Sequence, residues 1–313
     1  MTSISKLNQL YSTKLVGLDH YFNEIINLFK SQKLPNILLL NGKKGIGKFT
    51  LIMHFINYIF SKNEVVPYNL KNKTINTESL FYNSLLNNTL QDVIFIHAEE
   101  NKNIKIEDIR SLKSTISNSS LSNNPRFIII DEVEFLNTSS VNALLKTLEE
   151  PSDNNFFILI NNQQSDLIET ISSRCIKSNI YLNQEKKNEV INYLIEDRNI
   201  DNLIDLNNNL SPGLFLKFNE IYLKLKITKD DNILIKLNAL ITAYKKEKVK
   251  DLISLSYFLI DHYFFYKIIK NKHETESLLN TKSHIIEIIH NFVTFNLNIN
   301  TVLNSIKIKL NNV

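Results

Sequence analysis

A loop rich in glycine and lysine, GKKGIGKFT at residues 42–50, is the first part of the sequence that could do chemistry. Its glycines Gly42, Gly45 and Gly47 and its Lys48 satisfy the G-x-x-x-x-G-K pattern of P-loops. In a P-loop the glycines let backbone N–H groups approach phosphates, and the lysine contacts phosphate oxygens. Three of the 5 glycines in the chain fall here, which favours a nucleotide site for ATP or ADP over a ligand-free turn.

The residue after the lysine departs from the pattern of a nucleotide hydrolase. A hydrolase uses a Ser or Thr hydroxyl there to hold Mg²⁺, and Phe49 has no oxygen to offer. Thr50 lies about 100° further round the helix, so we expect it to point away from the metal and to touch a phosphate or cap the helix. We therefore expect nucleotide binding with weak Mg²⁺ binding and poor hydrolysis, and we predict no metal ligands in the chain.

An acidic pair follows the apolar run at residues 127–130. In P-loop ATPases the aspartate of such a pair, here Asp131, orients Mg²⁺ and its water, and the glutamate, here Glu132, polarises the attacking water. An acidic pair after a strand is common by itself. Together with the upstream P-loop it predicts the second half of a nucleotide site.

Short apolar runs separated by helical patterns must position these residues. The runs NILLL (36–40), VIFI (93–96), FIII (127–130) and FFILI (156–160) have the length and apolarity of buried parallel strands. Residues 49–60 and 106–116 have helical spacing between them. The fold class predicted for this half is α/β with a parallel sheet.

Beyond Arg174 the pattern becomes helical. We predict three domains: a nucleotide-binding-like domain at 1–178, a small helical domain at 179–220 and an all-α domain at 221–313. The apolar stretch 252–270 contains Asp261 and Lys267, which are costly in a bilayer, so it predicts a buried helix of a soluble domain.

Composition excludes several other classes of protein. One cysteine rules out an internal disulfide or a cluster of cysteine ligands, and the seven histidines lack metal-ligand spacing. Residues 1–14 have no continuous apolar core, so we predict no secretory signal, no membrane association and a cytoplasmic protein. The net charge of +4 permits contact with nucleic acid without requiring it.

Two further motifs make the resemblance to a known family specific. The segment NALLKTLEEP (142–151), which Pro151 should end, followed by SSRC (172–175), resembles the clamp-loader subunits of bacterial DNA polymerase III, AAA+ proteins of the delta-prime and gamma/tau type. The resemblance runs from about Leu15 to Gly213. It implies a P-loop AAA+ domain, a helical lid domain and a helical C-terminal collar domain that forms oligomers.

The resemblance also assigns roles to single residues. It implies that Lys48 contacts nucleotide phosphates and that Asn161 or Asn162 occupies the polar sensor position after its strand. It implies that Arg174 of the SRC motif is an arginine finger that reaches the ATP site of a neighbouring subunit. A guanidinium can bridge phosphate oxygens bidentately, which suits this role.

Departures from the family pattern favour the delta-prime type. The segment SPGLFLK (211–217) lacks the arginine of a second nucleotide sensor, and the chain has no cysteines for the zinc module of many relatives, so we predict no zinc. With Phe49 in place of the hydroxyl and Arg174 retained, the resemblance implies a stator that helps load the sliding clamp onto primed DNA. Its partners would be gamma/tau-type and delta-type subunits.

Two alternatives remain open from the sequence. The chain could be an active gamma/tau-like ATPase, or another AAA+ remodeller, if Thr50 or a water replaces the metal ligand. It could also be an interaction protein with an empty loop and no role in replication. Basic side chains in the 105–126 region could approach a DNA backbone: Lys105, Arg110, Lys113 and Arg126.

Overall fold

The computed structural model describes residues 12–87, 89–98, 104–117, 124–149, 154–204 and 210–311. The helix end predicted at Pro151 and the first eleven residues of the N-terminal segment lie outside these ranges. The chain divides into two compact units, one of residues 1–199 with 211–214 and one of residues 200–210 with 215–313. Neither division falls at 178 or 220, so the three-domain organisation stays a prediction.

The first unit is built on a parallel sheet. Within the described ranges five strands pair in the order β2-β3-β4-β1-β5. Their bounds are β1 (Ile37–Asn41), β2 (Val93–Ile96), β3 (Arg126–Asp131), β4 (Asn155–Asn161) and β5 (Ile176–Asn179). The α/β fold class and the four predicted strands are confirmed.

The strand that the sequence analysis missed is β5. Its four residues, IKSN, are mostly exposed, and β5 pairs with β1 at the edge of the sheet. An edge strand this short and polar has no apolar run or alternation to reveal it.

Helices cover both faces of the sheet. One face carries α1 (Asp19–Lys30) and α2 (Lys48–Phe60), and the other carries α4 (Ile106–Ser117) and α5 (Thr138–Leu148). The remaining helices of this unit are α3 (Leu80–Leu86), α6 (Glu169–Ser172) and α7 (Gln184–Arg198). The predicted helices at 49–60 and 106–116 are confirmed to within one residue at each end.

Successive residues of the central strands point to opposite faces. In β3, Phe127 and Ile129 join the core beneath α1 and α2, whereas Ile128 and Ile130 join the core beneath α4 and α5. All four side chains are fully buried. Because both faces are covered, the strand reads in the sequence as an uninterrupted apolar run.

The second unit is helical. Most of α8 (Pro212–Leu225) belongs to it, followed by α9 (Ile233–Glu247), α10 (Lys250–Lys270), α11 (Thr275–Phe295) and α12 (Ile299–Asn311). The all-α character predicted for the C-terminal part is confirmed.

The helix α10 has the length and hydropathy of a possible membrane span. The core helix of a bundle meets the same criterion, and α10 buries Leu255, Ile260 and Phe264 against its neighbours. Asp261 within it forms an ion pair with Lys282 of α11, at 2.7 Å. These contacts match the buried helix that the sequence predicts.

We expect Phe127→Ala to destabilise the first unit more than any exposed truncation. The Phe127 ring is fully buried among Phe29, Phe55, Phe60 and Phe156, so its removal leaves a cavity worth about 3–5 kcal/mol of unfolding free energy. Urea denaturation measures the loss. The control is Val65→Ala, at a side chain that is 98% exposed; equal effects of the two changes would contradict this packing.

Candidate functional site

The P-loop leaves β1 in a conformation that only glycine adopts easily. Gly45 and Gly47 have positive φ angles, 79° and 96°. A Cβ on Gly42 would lie 2.3 Å from the carbonyl oxygen of Ile180, so no side chain fits there. All three glycines are therefore required by the backbone, as in a loop whose N–H groups must approach an anion closely.

Lys48 folds back over this loop. Its Nζ donates to the carbonyl oxygens of Gly42, at 2.6 Å, and Lys43, at 2.8 Å. These bonds use two of the three ammonium N–H groups and leave one for a phosphate oxygen. The pKa of Lys48 is lowered to about 8, mainly by burial; the charges of Asp131 and Glu134 oppose the shift, and the nearby Lys44 adds to it.

Phe49 and Thr50 stand in the first turn of α2. The Phe49 ring packs into the core on the α2 face, with its centroid 5.9 Å from that of Phe95 in β2. It fills a core position and contributes no oxygen to a metal. Thr50 is half-buried, and Lys48 donates the side-chain hydrogen bonds to the loop carbonyls. Its predicted contact with a phosphate stays a prediction.

Asp131 ends β3 and is held by two donors. Its Oδ1 accepts from the N–H of Glu132, at 2.8 Å, and from Nδ2 of Asn162, at 3.0 Å. Burial raises the pKa of Asp131 to about 6, and the neighbouring charge of Glu132 adds to the shift. Glu132 itself has a positive φ of 57°, a strained conformation typical of functional sites.

Lys44 closes a small polar cluster at the tip of the loop. Its Nζ lies 2.8 Å from Oε1 of Glu132 and 3.3 Å from Oε1 of Gln164. Gln164 Nε2 also donates to Glu132, at 3.3 Å. The carboxylate that would polarise an attacking water is thus occupied by a cation of the same chain.

The two asparagines after β4 have different partners. Asn162 donates to Asp131, whereas Asn161 donates to Oδ1 of Asn41 at the end of β1, at 2.9 Å. The structure therefore brings Asn162 to the acidic pair, and Asn161 links β4 to β1. The sensor role of either residue stays a prediction.

Glu134 holds the segment after β4 and was missed by sequence reasoning. Its buried carboxylate accepts from the N–H of Asn162, at 3.0 and 3.1 Å, and from the N–H of Gln164, at 3.4 Å. It fixes both residues beside Asp131 and Glu132. The sequence signal was a third acidic residue set between the apolar Val133 and Phe135, since a carboxylate buried among apolar residues needs partners.

The segment Ser211–Leu214 lies against the P-loop within the first unit. The Gly213 N–H donates to the carbonyl oxygen of Gly45, at 2.8 Å. A Cβ on Gly213 would lie 2.8 Å from the Cα of Gly45, so glycine is required here too. The sequence marked this segment as the end of the family resemblance and for its missing arginine.

Arg174 lies at the surface, between α6 and β5. Its guanidinium donates to the carbonyl oxygen of Thr170 and to Oε1 of Glu149, both at 3.1 Å. The Arg174 side chain is 38% exposed, and Glu149 ends α5. Two of five guanidinium donors are bound, so the others can meet an anion from another molecule.

Two further residues have structural roles here. Arg126 is buried and donates to the carbonyl oxygens of Thr115 and Ile116, so it is not one of the basic side chains that could approach DNA at the surface. Cys175 is half-buried, donates to the carbonyl of Ile171, and burial raises the pKa of its thiol to about 11. A thiol held in this form is a packing residue and a poor nucleophile.

In the part of the chain that the structure describes, no group of three or more His, Cys, Asp or Glu side chains is close enough to hold a metal ion. The absence of zinc stays a prediction.

A family model described as "DNA polymerase III, delta subunit" matches residues 17–184, just over half of the chain. The matched region contains the P-loop, the acidic pair and Arg174.

Curated relatives include subunits of the same polymerase. The delta' subunit of Buchnera aphidicola subsp. Schizaphis graminum is 30% identical over 187 residues, 59% of this chain and 54% of that protein. The gamma subunit of Buchnera aphidicola subsp. Acyrthosiphon pisum is 28% identical over 192 residues, 61% of this chain and 51% of that protein. The chain thus matches about half the length of these relatives.

Among solved structures, a DNA polymerase III gamma subunit-related protein from Thermotoga maritima aligns with a TM-score of 0.49 and 19% identity. The alignment covers 93% of this chain and 97% of that one.

We expect the free energy of unfolding of Asp131→Asn, relative to that of the wild type, to increase as the pH rises. The folded pKa of Asp131, about 6, lies above the ordinary 3.8, so the folded state retains the proton between these values. The stability that this proton gives is lost as the pH rises through 6. The advantage of the variant should therefore grow by roughly 2–3 kcal/mol between pH 4 and pH 7.

Urea unfolding of both proteins across this pH range measures the difference. Asp166→Asn, at an exposed side chain on the segment after β4, is the matched control. A variant whose advantage does not change with pH would contradict the buried, proton-retaining state of Asp131.

Proposed function

The chain belongs to the DNA polymerase III delta-subunit family, and we propose that it serves a clamp loader as a delta-prime-like subunit. Its part is that of a stator, which offers Arg174 to the ATP site of a neighbouring subunit and hydrolyses ATP poorly itself. The proposed partners are gamma/tau-type and delta-type subunits and, through the complex, the sliding clamp and primed DNA. The complex would act in the cytoplasm during replication.

The observation that carries this proposal is the position of the Arg174 guanidinium. It lies at the surface in the turn between α6 and β5. It donates to a backbone carbonyl and to Glu149, which leaves other guanidinium N–H groups for an anion. An arginine in that position can enter another molecule's site, since it is neither buried nor committed to its own P-loop. An arginine finger supplied in trans contributes roughly 10³–10⁵ to the rate in GTPases.

The state of the chain's own site supports poor hydrolysis. The P-loop retains its glycines and a well-positioned Lys48, which supports ATP or ADP binding. The position of the Mg²⁺-binding hydroxyl is taken by Phe49, and Glu132 is paired with Lys44. Both steps that a hydrolase needs, metal binding and water activation, therefore lack a free residue.

The helical second unit supports a role in assembly. Residues 221–313 would form the oligomerisation collar, and several of their apolar side chains are exposed, namely Phe265, Ile269, Phe295 and Ile308. Apolar side chains on helices of this kind suit packing against further helices from other subunits.

A second candidate function has one observation in its favour. The intact cradle around Lys48 is what an active gamma/tau-like ATPase or another AAA+ remodeller would need. ATP turnover by the isolated chain at a rate comparable to an assembled clamp loader would favour this candidate over the stator.

We expect Arg174→Ala to abolish assisted hydrolysis while leaving assembly intact. In a complex rebuilt with the delta- and gamma/tau-type subunits of the same organism, single-turnover hydrolysis at the adjacent site should slow by roughly 10²-fold or more. Gel filtration reports assembly. Lys62→Ala, at an exposed lysine of the same unit, is the control; an unchanged rate in the Arg174 variant would exclude the finger.

A further inference from the structure

The P-loop site has lost its means of holding a divalent cation. Mg²⁺ needs near-octahedral oxygen ligands, and the hydroxyl that would supply one is replaced by the Phe49 ring in the core. The remaining acidic ligand, Asp131, accepts two hydrogen bonds on Oδ1 and so offers a metal one carboxylate oxygen, Oδ2. The residues present do not fit the metal, although they fit a polyphosphate.

Lysines surround the same loop. Lys44 is close enough to Lys48 to lower its pKa, and Lys43 similarly lowers the pKa of Lys187 on α7, in addition to the effect of burial. Like charges held this close repel one another unless an anion lies among them. Lys48 and Lys43 therefore leave positive charge at the loop, beside the Lys44–Glu132 ion pair.

A second helix N-terminus meets the loop. The helix α8 begins at Pro212, and the N–H of Gly213 in its first turn donates to the carbonyl oxygen of Gly45 in the P-loop. The N-terminus of α8, the positive end of its dipole, therefore lies beside the loop from which α2 begins. Ser211 just before it is 5% exposed, and its Oγ has no hydrogen-bond partner within the described residues. A Cβ on Gly45 would lie 2.5 Å from that Oγ.

The Ser211 hydroxyl belongs to the close contact between residues 211–214 and the P-loop. Its Oγ is shielded from solvent, so a phosphate or ribose oxygen would reach it only with a shift of this segment. The ligand is therefore argued from the loop and its lysines, whose unused N–H groups can meet phosphate oxygens.

We propose that this site binds the polyphosphate of a nucleoside triphosphate without a divalent cation, and that an N–H group of Lys44 contacts the terminal phosphate where Mg²⁺ does so elsewhere. This inference rests on the nucleotide site of the proposed function. Lys44 uses two N–H groups on Glu132 and Gln164, and its third bonds the terminal phosphate. Glu132 stays neutralised by this ion pair, so the bound nucleotide is held without activation of water.

The experiment is calorimetric titration of the full chain with ATP and with ADP, in EDTA and in excess Mg²⁺. The wild type should bind ATP in EDTA within about threefold of its affinity in Mg²⁺. Lys44→Gln should weaken ATP binding in EDTA by about tenfold or more and ADP binding by less, because Lys44 serves the terminal phosphate. Lys44→Arg should restore binding of ATP.

The matched control is Lys33→Gln, which removes one exposed lysine charge in the turn after α1 and should leave both affinities unchanged. Circular dichroism confirms that the variants are folded. Binding by the wild type only in Mg²⁺, no detectable binding in either buffer, or equal ATP affinities of Lys44→Gln and wild type in EDTA would each overturn the inference. None of these outcomes tests the role of Arg174, which is measured separately by hydrolysis in the assembled complex.

Discussion

The structure depends on the parallel register of β1, β3 and β4, which brings three polar strand ends to one edge of the sheet. Asn41 pairs in register with Asn161, and Asp131 with Ile160, so the P-loop, the acidic pair and the segment after β4 begin side by side. The strands hold this register because their side chains are buried on both faces, where a slip would disrupt two cores at once. The polar residues beyond the strands then share one small volume.

Within that volume the chain's own side chains satisfy most of the charges. Lys48 bonds to the loop carbonyls, Lys44 to Glu132, Asn162 to Asp131, and Glu134 to the backbone after β4. In the proposed function this network would hold a bound polyphosphate, and Glu132, paired with Lys44, would not be available to activate water. Arg174 differs from these residues, since its partners leave it exposed and able to act on another molecule.

Sequence reasoning recovered the features that rest on local patterns. Continuous apolar runs revealed the buried strands, and the G-x-x-x-x-G-K spacing revealed the loop, because each follows from a single segment. The pairing of Lys44 with Glu132 joins residues 88 positions apart, and the hydrogen bonds of Glu134 reach across 28 to 30 positions, so only the folded chain shows them. The contact of Gly213 with Gly45 also joins distant parts of the chain and is visible only after folding. The strand β5 was not predicted because an exposed edge strand carries no apolar pattern.

In the proposed function this chain contributes to ATP turnover through Arg174 and not through hydrolysis in its own P-loop. Steady-state ATP turnover by a rebuilt complex in which this chain alone carries Lys48→Ala, a change that removes the ammonium proposed to bind phosphate, separates the two possibilities. We expect turnover close to that of the unmodified complex, because the proposed site holds nucleotide without cleaving it. A loss of turnover in proportion to one active site, with assembly intact, would show that this P-loop hydrolyses ATP.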